Sequence, residues 1–390
     1  MKGSQLFEEA KTLSAKLIAW RRDLHQIPET DLSLPNTSAY VCKALHDMGI
    51  SYQRCVNDSC ITALLGTGSS PCFLLRSDMD ALPVKEETGL PFASENGCMH
   101  ACGHDLHTSI LLGAAKLLKA HESELHGTVK LLFQPGEETF RGAKAAIEAG
   151  VLENPHVDAA FAMHVSSTVP FGVIAYGKQP MASVYGFQFG LHGHGGHGST
   201  PERCIDPINA GVQVYLALQS LIARECPASA EAVLTIGQFS AGSAANVIPE
   251  HALLQGTLRT FDPEIRKNLI ARINEIVPAV AAAYRCKTDQ AVLSDVPAVL
   301  CDPKLNEQLV KAISELDEKL VLLPRFHAMG SEDFAFISEL VPHSSYFALG
   351  AAHPDETKRY AQHNPKVYFA EECLPVGAAS YAAAALSYLT

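Results

Sequence analysis

Apolar residues recur along this chain with two periods. Residues 14 to 26 and 36 to 49 keep the spacing of amphipathic helices, and the second stretch ends at Gly49, a suitable C-cap, before the strand-like Ile50 to Cys55. Short apolar runs follow at Cys72 to Leu75, Val129 to Phe133 and Ala159 to Met163, alternating with helical stretches at Leu106 to Lys119 and Ala143 to Ala149. Strands buried on both faces read as unbroken runs, so this part predicts an α/β domain with a mostly parallel sheet flanked by helices.

Beyond Ala182 the order changes to strand (Val184 to Leu191), helix (Pro207 to Arg224), strand (Ala232 to Phe239), strand (Ala252 to Thr260), helix (Pro263 to Tyr284) and strand (Lys287 to Leu293). That βαββαβ order predicts a ferredoxin-like α+β module. Asp206-Pro207 and Asp262-Pro263 each place a capping carboxylate before a proline at the first helical position. From about Pro297 the pattern returns to helix, then to a strand at Ser345 to Leu349 and an Ala-rich final helix. The expected organisation is a first domain in two parts, residues 1–182 and 296–390, interrupted by a smaller inserted domain at 183–295.

Composition narrows the function classes. Lys and Arg number 30 against 42 Asp and Glu, a formal charge of −12, and no basic block offers a nucleic-acid footprint. With 47% apolar and 18% charged residues the chain reads as folded and globular. Its most apolar window, Val376 to Leu389, is shorter than the ~20 residues a bilayer core needs, so no membrane association is expected. The first thirteen residues contain Glu8 and Glu9 and no apolar core, which points to a cytoplasmic protein. Eleven scattered cysteines fit free thiols in a reducing compartment. Cys55 and Cys60 are spaced to close a small loop, but that compartment argues against a disulfide there.

In parallel sheets ligands bind beyond the carboxyl ends of the strands, and there this sequence carries metal-ligand residue types. Asp78 and Asp80 follow the first apolar run, Glu137 and Glu138 the second, and His164 the third, while Met99 to His107 holds Cys102, His104 and His107 where a helix begins. A mixed Cys, His and carboxylate set suits a divalent transition metal such as zinc, cobalt or manganese. A structural zinc knuckle of Cys98, His100, Cys102 and His104 is the competing reading, but it leaves Glu137 and Glu138 unexplained. Of two adjacent carboxylates at a strand end, one can hold metal while the other serves as general base. The tract His192 to Gly198 contains G-x-G-x-x-G, but Pro201 intervenes before the next helix, so it reads as a loop presenting His197 rather than a dinucleotide fingerprint.

The segments Arg76 to Pro83, Met99 to Thr108, Phe133 to Glu138 and Asn246 to Pro249 resemble the amidohydrolase branch of the aminoacylase-like metallopeptidases, a likeness running from about Leu24-His25 to Glu371. The resemblance implies a catalytic domain with two divalent ions (zinc, manganese, cobalt or nickel) and an inserted lid that mediates homodimerisation. Matched position by position, it implies Cys102, His104, Glu138, His164 and His363 as metal ligands, Cys102 bridging, with Glu137 as general base. It further implies Asp80 and Glu332 as supporting carboxylates, His197 as an oxyanion-stabilising lid residue acting within its subunit or across a dimer, and Asn246 and Arg259 as substrate contacts. Gly136 departs from the family, where alanine is frequent, and Ser199-Thr200 after His197 is a second departure. The expected reaction is hydrolysis of an N-acyl amino acid, such as an N-acetyl or N-benzoyl derivative. The alternatives are a dipeptidase or aminopeptidase using the same site and, more remotely, a non-catalytic metal-binding protein.

Overall fold

The structure, a computed structural model, describes residues 3–390. It divides into two compact units. The first comprises the chain up to Pro180, Val299–His327 and Asp333–Thr390; the second comprises Met181–Ala298 and the short return Ala328–Glu332. Residues 328–332, expected with the flanking sequence, join the second unit through main-chain bonds. The Ala182 N–H reaches the carbonyls of Ala328 and Gly330, and Met181 bridges to Ala328.

Strands are numbered along the whole chain. The first unit begins with β1 (Tyr52–Cys55), β2 (Cys60–Gly66), β3 (Cys72–Asp78), β4 (Thr128–Gln134), β5 (Ala159–Ser166) and β6 (Val173–Tyr176). The second unit holds β7 (Ser183–His192), β8 (Gly196–His197), β9 (Ala232–Ala241), β10 (Val247–Ile248), β11 (His251–Thr260) and β12 (Lys287–Val296). The first is completed by β13 (Val321–Leu323) and β14 (Ser344–Gly350).

The strands of the first unit form one sheet in the order β1-β2-β4-β3-β5-β14-β6-β13. Its centre, β4-β3-β5-β14, is parallel throughout, while β1 and β2 pair antiparallel with their neighbours and β6 runs antiparallel to β14 and parallel to β13. Every residue of β3, β4 and β14 is buried, which is why their apolar residues come in runs instead of alternating with polar ones. The helices His104–Ala120 and Cys373–Leu389 pack on each other and against β3. The Ala-rich terminal helix is buried over nearly its whole length, and among the described residues no helix is long and apolar enough to cross a membrane.

The second unit is an antiparallel sheet in the order β12-β7-β11-β9 with a separate two-stranded ribbon, β8 and β10. Strand β11 alternates strictly between buried and more open residues, the period-2 pattern of a sheet covered on one side. Phe187, Phe189, Leu254 and Leu258 from the strands meet Val214, Leu218, Ile273 and Val277 from the helices Pro207–Glu225 and Pro263–Ala283. Both helix starts are capped as the sequence predicts. Asp206 accepts from the N–H of Ile208 and Asn209, and Asp262 from those of Glu264 and Ile265. The mixed architecture, a mostly parallel α/β sheet with an antiparallel α+β unit, is the one the hydrophobic pattern predicts.

Candidate metal centre

All five sequence-predicted ligands lie in the first unit, and the ends of its strands gather them. Ligand atoms of Cys102, His104 and His164 lie within 4.8 Å of one another, as do those of Cys102, Glu138 and His363 and those of His104, Glu137 and Glu138. Cys102 thus belongs to two triads. Gly103, at φ +94° and with Val165 2.5 Å from where a Cβ would stand, turns the chain between Cys102 and His104 in a conformation and a space that only glycine tolerates. His363 also adopts a left-handed backbone, φ +68°, and its N–H is tied to the Ala101 carbonyl at 2.9 Å beside the thiol. Strained backbone held in this way concentrates at functional sites.

Hydrogen bonds set the imidazoles. His104 Nδ1 donates to the Asp80 carbonyl at 2.8 Å, and His164 Nδ1 donates to the Val165 carbonyl at 2.7 Å. In the neutral ring each therefore carries its lone pair on Nε2. That atom of His164 stands 3.4 Å from Cys102 Sγ, and that of His104 stands 3.9 Å from Glu138 Oε1. His363 Nε2 approaches the same oxygen at 3.5 Å.

Asp80 shapes the carboxylate turn. Its two oxygens accept the main-chain N–H groups of Glu137 at 2.9 Å and Glu138 at 3.1 Å, so one side chain fixes both adjacent residues. Gly136, immediately before them, has φ +72°, and a Cβ there would stand 2.6 Å from Leu32 Cδ2. In this chain the departure from alanine is therefore required by the backbone.

The cluster fits a divalent cation. His104 Nε2 and Glu138 Oε1 are buried and lack a hydrogen-bond partner, a costly arrangement for polar atoms unless something else satisfies them. Burial, reinforced by the Glu138 charge, pushes the Cys102 thiol well above its ordinary value. Burial likewise raises the Glu138 carboxyl, against the pull of His104 and His363. A cation among these donors reverses both tendencies, because its charge stabilises thiolate and carboxylate together.

Asp78 and His107 also approach His104, but both nitrogens of His107 are engaged. Its Nδ1 pairs with Asp78 Oδ1 at 2.5 Å and its Nε2 accepts the Val165 N–H at 2.8 Å. His107 therefore anchors the end of β5 beside His164 instead of offering a donor. Behind Asp78 lies Arg76, buried within β3, with Nη1 2.7 Å from Asp78 Oδ2 and Nη2 2.7 Å from Asp333 Oδ1. The sequence grouped His107 with the candidate ligands but singled out neither Arg76 nor Asp333, although an arginine inside an otherwise buried strand signals a buried counter-charge.

The remaining predicted residues belong to the second unit. His197 and Asn246 meet on the β8–β10 ribbon, where His197 pairs with Val247 and the Gly198 N–H bonds the Asn246 carbonyl at 2.8 Å. His197 Nδ1 accepts the main-chain N–H of Ser199 at 3.1 Å, which leaves the neutral ring's proton on Nε2. Arg259, on β11, donates through Nη1 to the Met329 carbonyl at 2.7 Å and to Ser331 Oγ at 3.2 Å. Glu332 closes the same 328–332 segment and is buried.

A profile of the peptidase family M20/M25/M40 matches residues 74–387. The chain is 37% identical over 384 residues to IAA-amino acid hydrolase ILR1-like 4 of Arabidopsis thaliana, covering 96% of this chain and 86% of that protein. It is 35% identical over 383 residues to N-acetylcysteine deacetylase of Bacillus subtilis, covering 97% and 98% of the two chains. The crystal structure of a Bacillus subtilis dinuclear metal-binding peptidase of family M20 matches with a TM-score of 0.83 and 32% identity, covering 97% of this chain and 99% of that one. The chain belongs to the peptidase family M20/M25/M40.

Proposed function

We propose that the protein is a metal-dependent amidohydrolase that cleaves N-acyl amino acids to a carboxylate and a free amino acid. The observation that carries this reading is the surplus carboxylate. Cys102, His104, Glu138, His164 and His363 supply donors for two divalent ions, and Glu137 stands beside them on the turn that Asp80 holds. The deacetylase and the IAA-amino acid hydrolase among the relatives support an acylated amino acid as the substrate class.

When bound, the ions supply Lewis acidity, polarising the scissile carbonyl and acidifying water. Glu137 then removes a proton from the attacking water and returns it to the leaving amine. The Nε2–H of His197, whose tautomer Ser199 sets, is the donor suited to the developing oxyanion. Arg259 pairs with the substrate carboxylate, Asn246 assists in holding the substrate, and Glu332 supports the site.

The test is release of free amino acid from N-acetyl, N-benzoyl and indoleacetyl amino acids, and from free-amine dipeptides. Metal-stripped protein is refilled separately with zinc, manganese, cobalt or nickel. Turnover of at least one acylated class is expected, with Arg259→Met raising KM more than it lowers kcat. Turnover confined to free-amine dipeptides would overturn the reading in favour of a peptidase.

The second unit serves as lid and dimer surface in this proposal. Ile208, Val212, Tyr215 and Leu216 form an exposed apolar face on the helix Pro207–Glu225, Leu216 being 53% exposed, and β9 lies at the open edge of its sheet. Unpaired edges and exposed apolar faces favour self-association. Sedimentation should give a dimer that Leu216→Glu converts to monomer; a monomeric parent protein would sink the idea. All eleven cysteines are free, in keeping with the cytoplasmic setting this reading includes.

A further inference from the structure

Cys55 ends β1 and Cys60 begins β2, and the two are direct partners in the antiparallel register. Directly opposed residues have Cα atoms about 4.5–5.5 Å apart and side chains on one face, inside the ~4.4–6.8 Å range that a disulfide spans. Both thiols are free. Their environments differ: Cys60 is fully buried, whereas Cys55 is half-buried and lines an open cavity of about 430 Å³ with Tyr52, Arg54, Thr62, Lys130 and Asn154.

The turn between them is already braced. Val56, Asn57 and Asp58 all have positive φ. The Arg54 side chain donates to the Asp58 carbonyl and to Ser38 Oγ, and Ser59 Oγ accepts the Leu34 N–H. These bonds keep the two sulfurs on opposed positions in the reduced protein, so linking them requires little rearrangement.

We propose that Cys55 and Cys60 form a reversible thiol–disulfide couple oxidised by hydroperoxides, independent of the hydrolytic reaction above. Interaction with the Cys60 thiol lowers the Cys55 pKa, while the same interaction and burial raise that of Cys60, which makes the accessible sulfur the better thiolate. Cys55 attacks a peroxide oxygen; an S–O bond forms, the O–O bond breaks, and the departing oxygen leaves protonated, as water when the oxidant is hydrogen peroxide. Cys55 is thereby oxidised to the sulfenic acid. Cys60 then gives up its proton and attacks that sulfur; the S–S bond forms and hydroxide leaves, taking the proton as a second water. Two thiols and one hydrogen peroxide become one disulfide and two waters.

The hairpin pairs with the strand that leads into the turn carrying Glu137. Ile61 pairs with Phe133, so the hairpin meets β4 at the end that leads into Glu137. Leu34, held by Ser59, lies in the same loop as Leu32, against which Gly136 packs.

The experiment is peptide mass mapping of metal-loaded protein after graded hydrogen peroxide, with remaining thiols alkylated before digestion. The expected product is a Cys55–Cys60 link lighter by two hydrogens and reversed by dithiothreitol. Cys60→Ser should leave Cys55 as a sulfenic acid that dimedone traps, and Cys55→Ser should leave Cys60 alkylated. If both cysteines stay alkylated in the wild type while other thiols oxidise, or Cys55 links elsewhere, or Cys60→Ser yields no dimedone adduct, the proposal fails. The wild-type mapping stands even if a variant folds poorly.

Discussion

Glu137→Gln should lower kcat for an N-acyl amino acid by about 10²–10⁴-fold, the range general base catalysis supplies, while leaving bound metal unchanged. The expectation rests on how the turn is built. Asp80 holds Glu137 and Glu138 by their main-chain N–H groups, so an isosteric change in the side chain of residue 137 leaves the turn standing. The unpartnered Oε1 faces His104 and His363 from Glu138, and Glu138→Gln should therefore lose metal as well as turnover. Asp80→Ala, which frees both amides at once, should weaken metal binding about 10–100-fold, as removal of a ligand's support commonly does. Measuring metal content beside kcat separates the three. Loss of metal from Glu137→Gln would reassign that residue as a ligand, and unimpaired turnover would remove it from the chemistry.

The parts that local chemistry dictates were legible in the sequence. Strands β3, β4 and β5 announce themselves because they are buried on both faces, and the Asp-Pro starts because the cap and the fixed φ act within three residues. The donors were legible because sheet topology brings the ends of parallel strands together. Harder to see were β2, whose burial is broken at Leu64, β6, which is only four residues long, and the two-residue strands β8 and β10, which exist only through their pairing. The attachment of residues 328–332 to the second unit depends on bonds to Ala182, nearly 150 positions earlier. The sequence showed the Gly136 departure without its reason: a Cβ there would meet Leu32 Cδ2, about a hundred residues away. Contacts of this range leave no periodic signal.

Arg76→Met should destabilise the first unit by about 3–5 kcal/mol, the cost of removing one partner from a buried ion pair. Arg76 is 1% exposed and spends its whole guanidinium internally: Nη1 on Asp78, Nη2 on Asp333 and Nε on Gln134 Oε1 at 3.0 Å. Asp333 in turn accepts from Gln134 Nε2 and from the Ala143 N–H at 2.8 Å, which joins β3, β4 and the helix Gly142–Glu148 through one carboxylate. Methionine fills much of the space but leaves Asp333 buried without its counter-charge, and Asp78 dependent on its histidines. Burial opposes the charged form of Asp78, yet in the intact protein His104, Arg76 and His107 together hold it well below the usual carboxylate range. In the variant the buried carboxyls should titrate above their unfolded value of about 3.9, so the folded state binds more protons and stability falls as pH rises. The deficit relative to wild type should therefore shrink as pH falls from neutral toward that unfolded value. The single tryptophan, Trp20, is buried in the first unit, so denaturant unfolding followed by its fluorescence reports on the unit concerned. A deficit independent of pH would mean that lost packing, rather than the stranded charge, sets the cost.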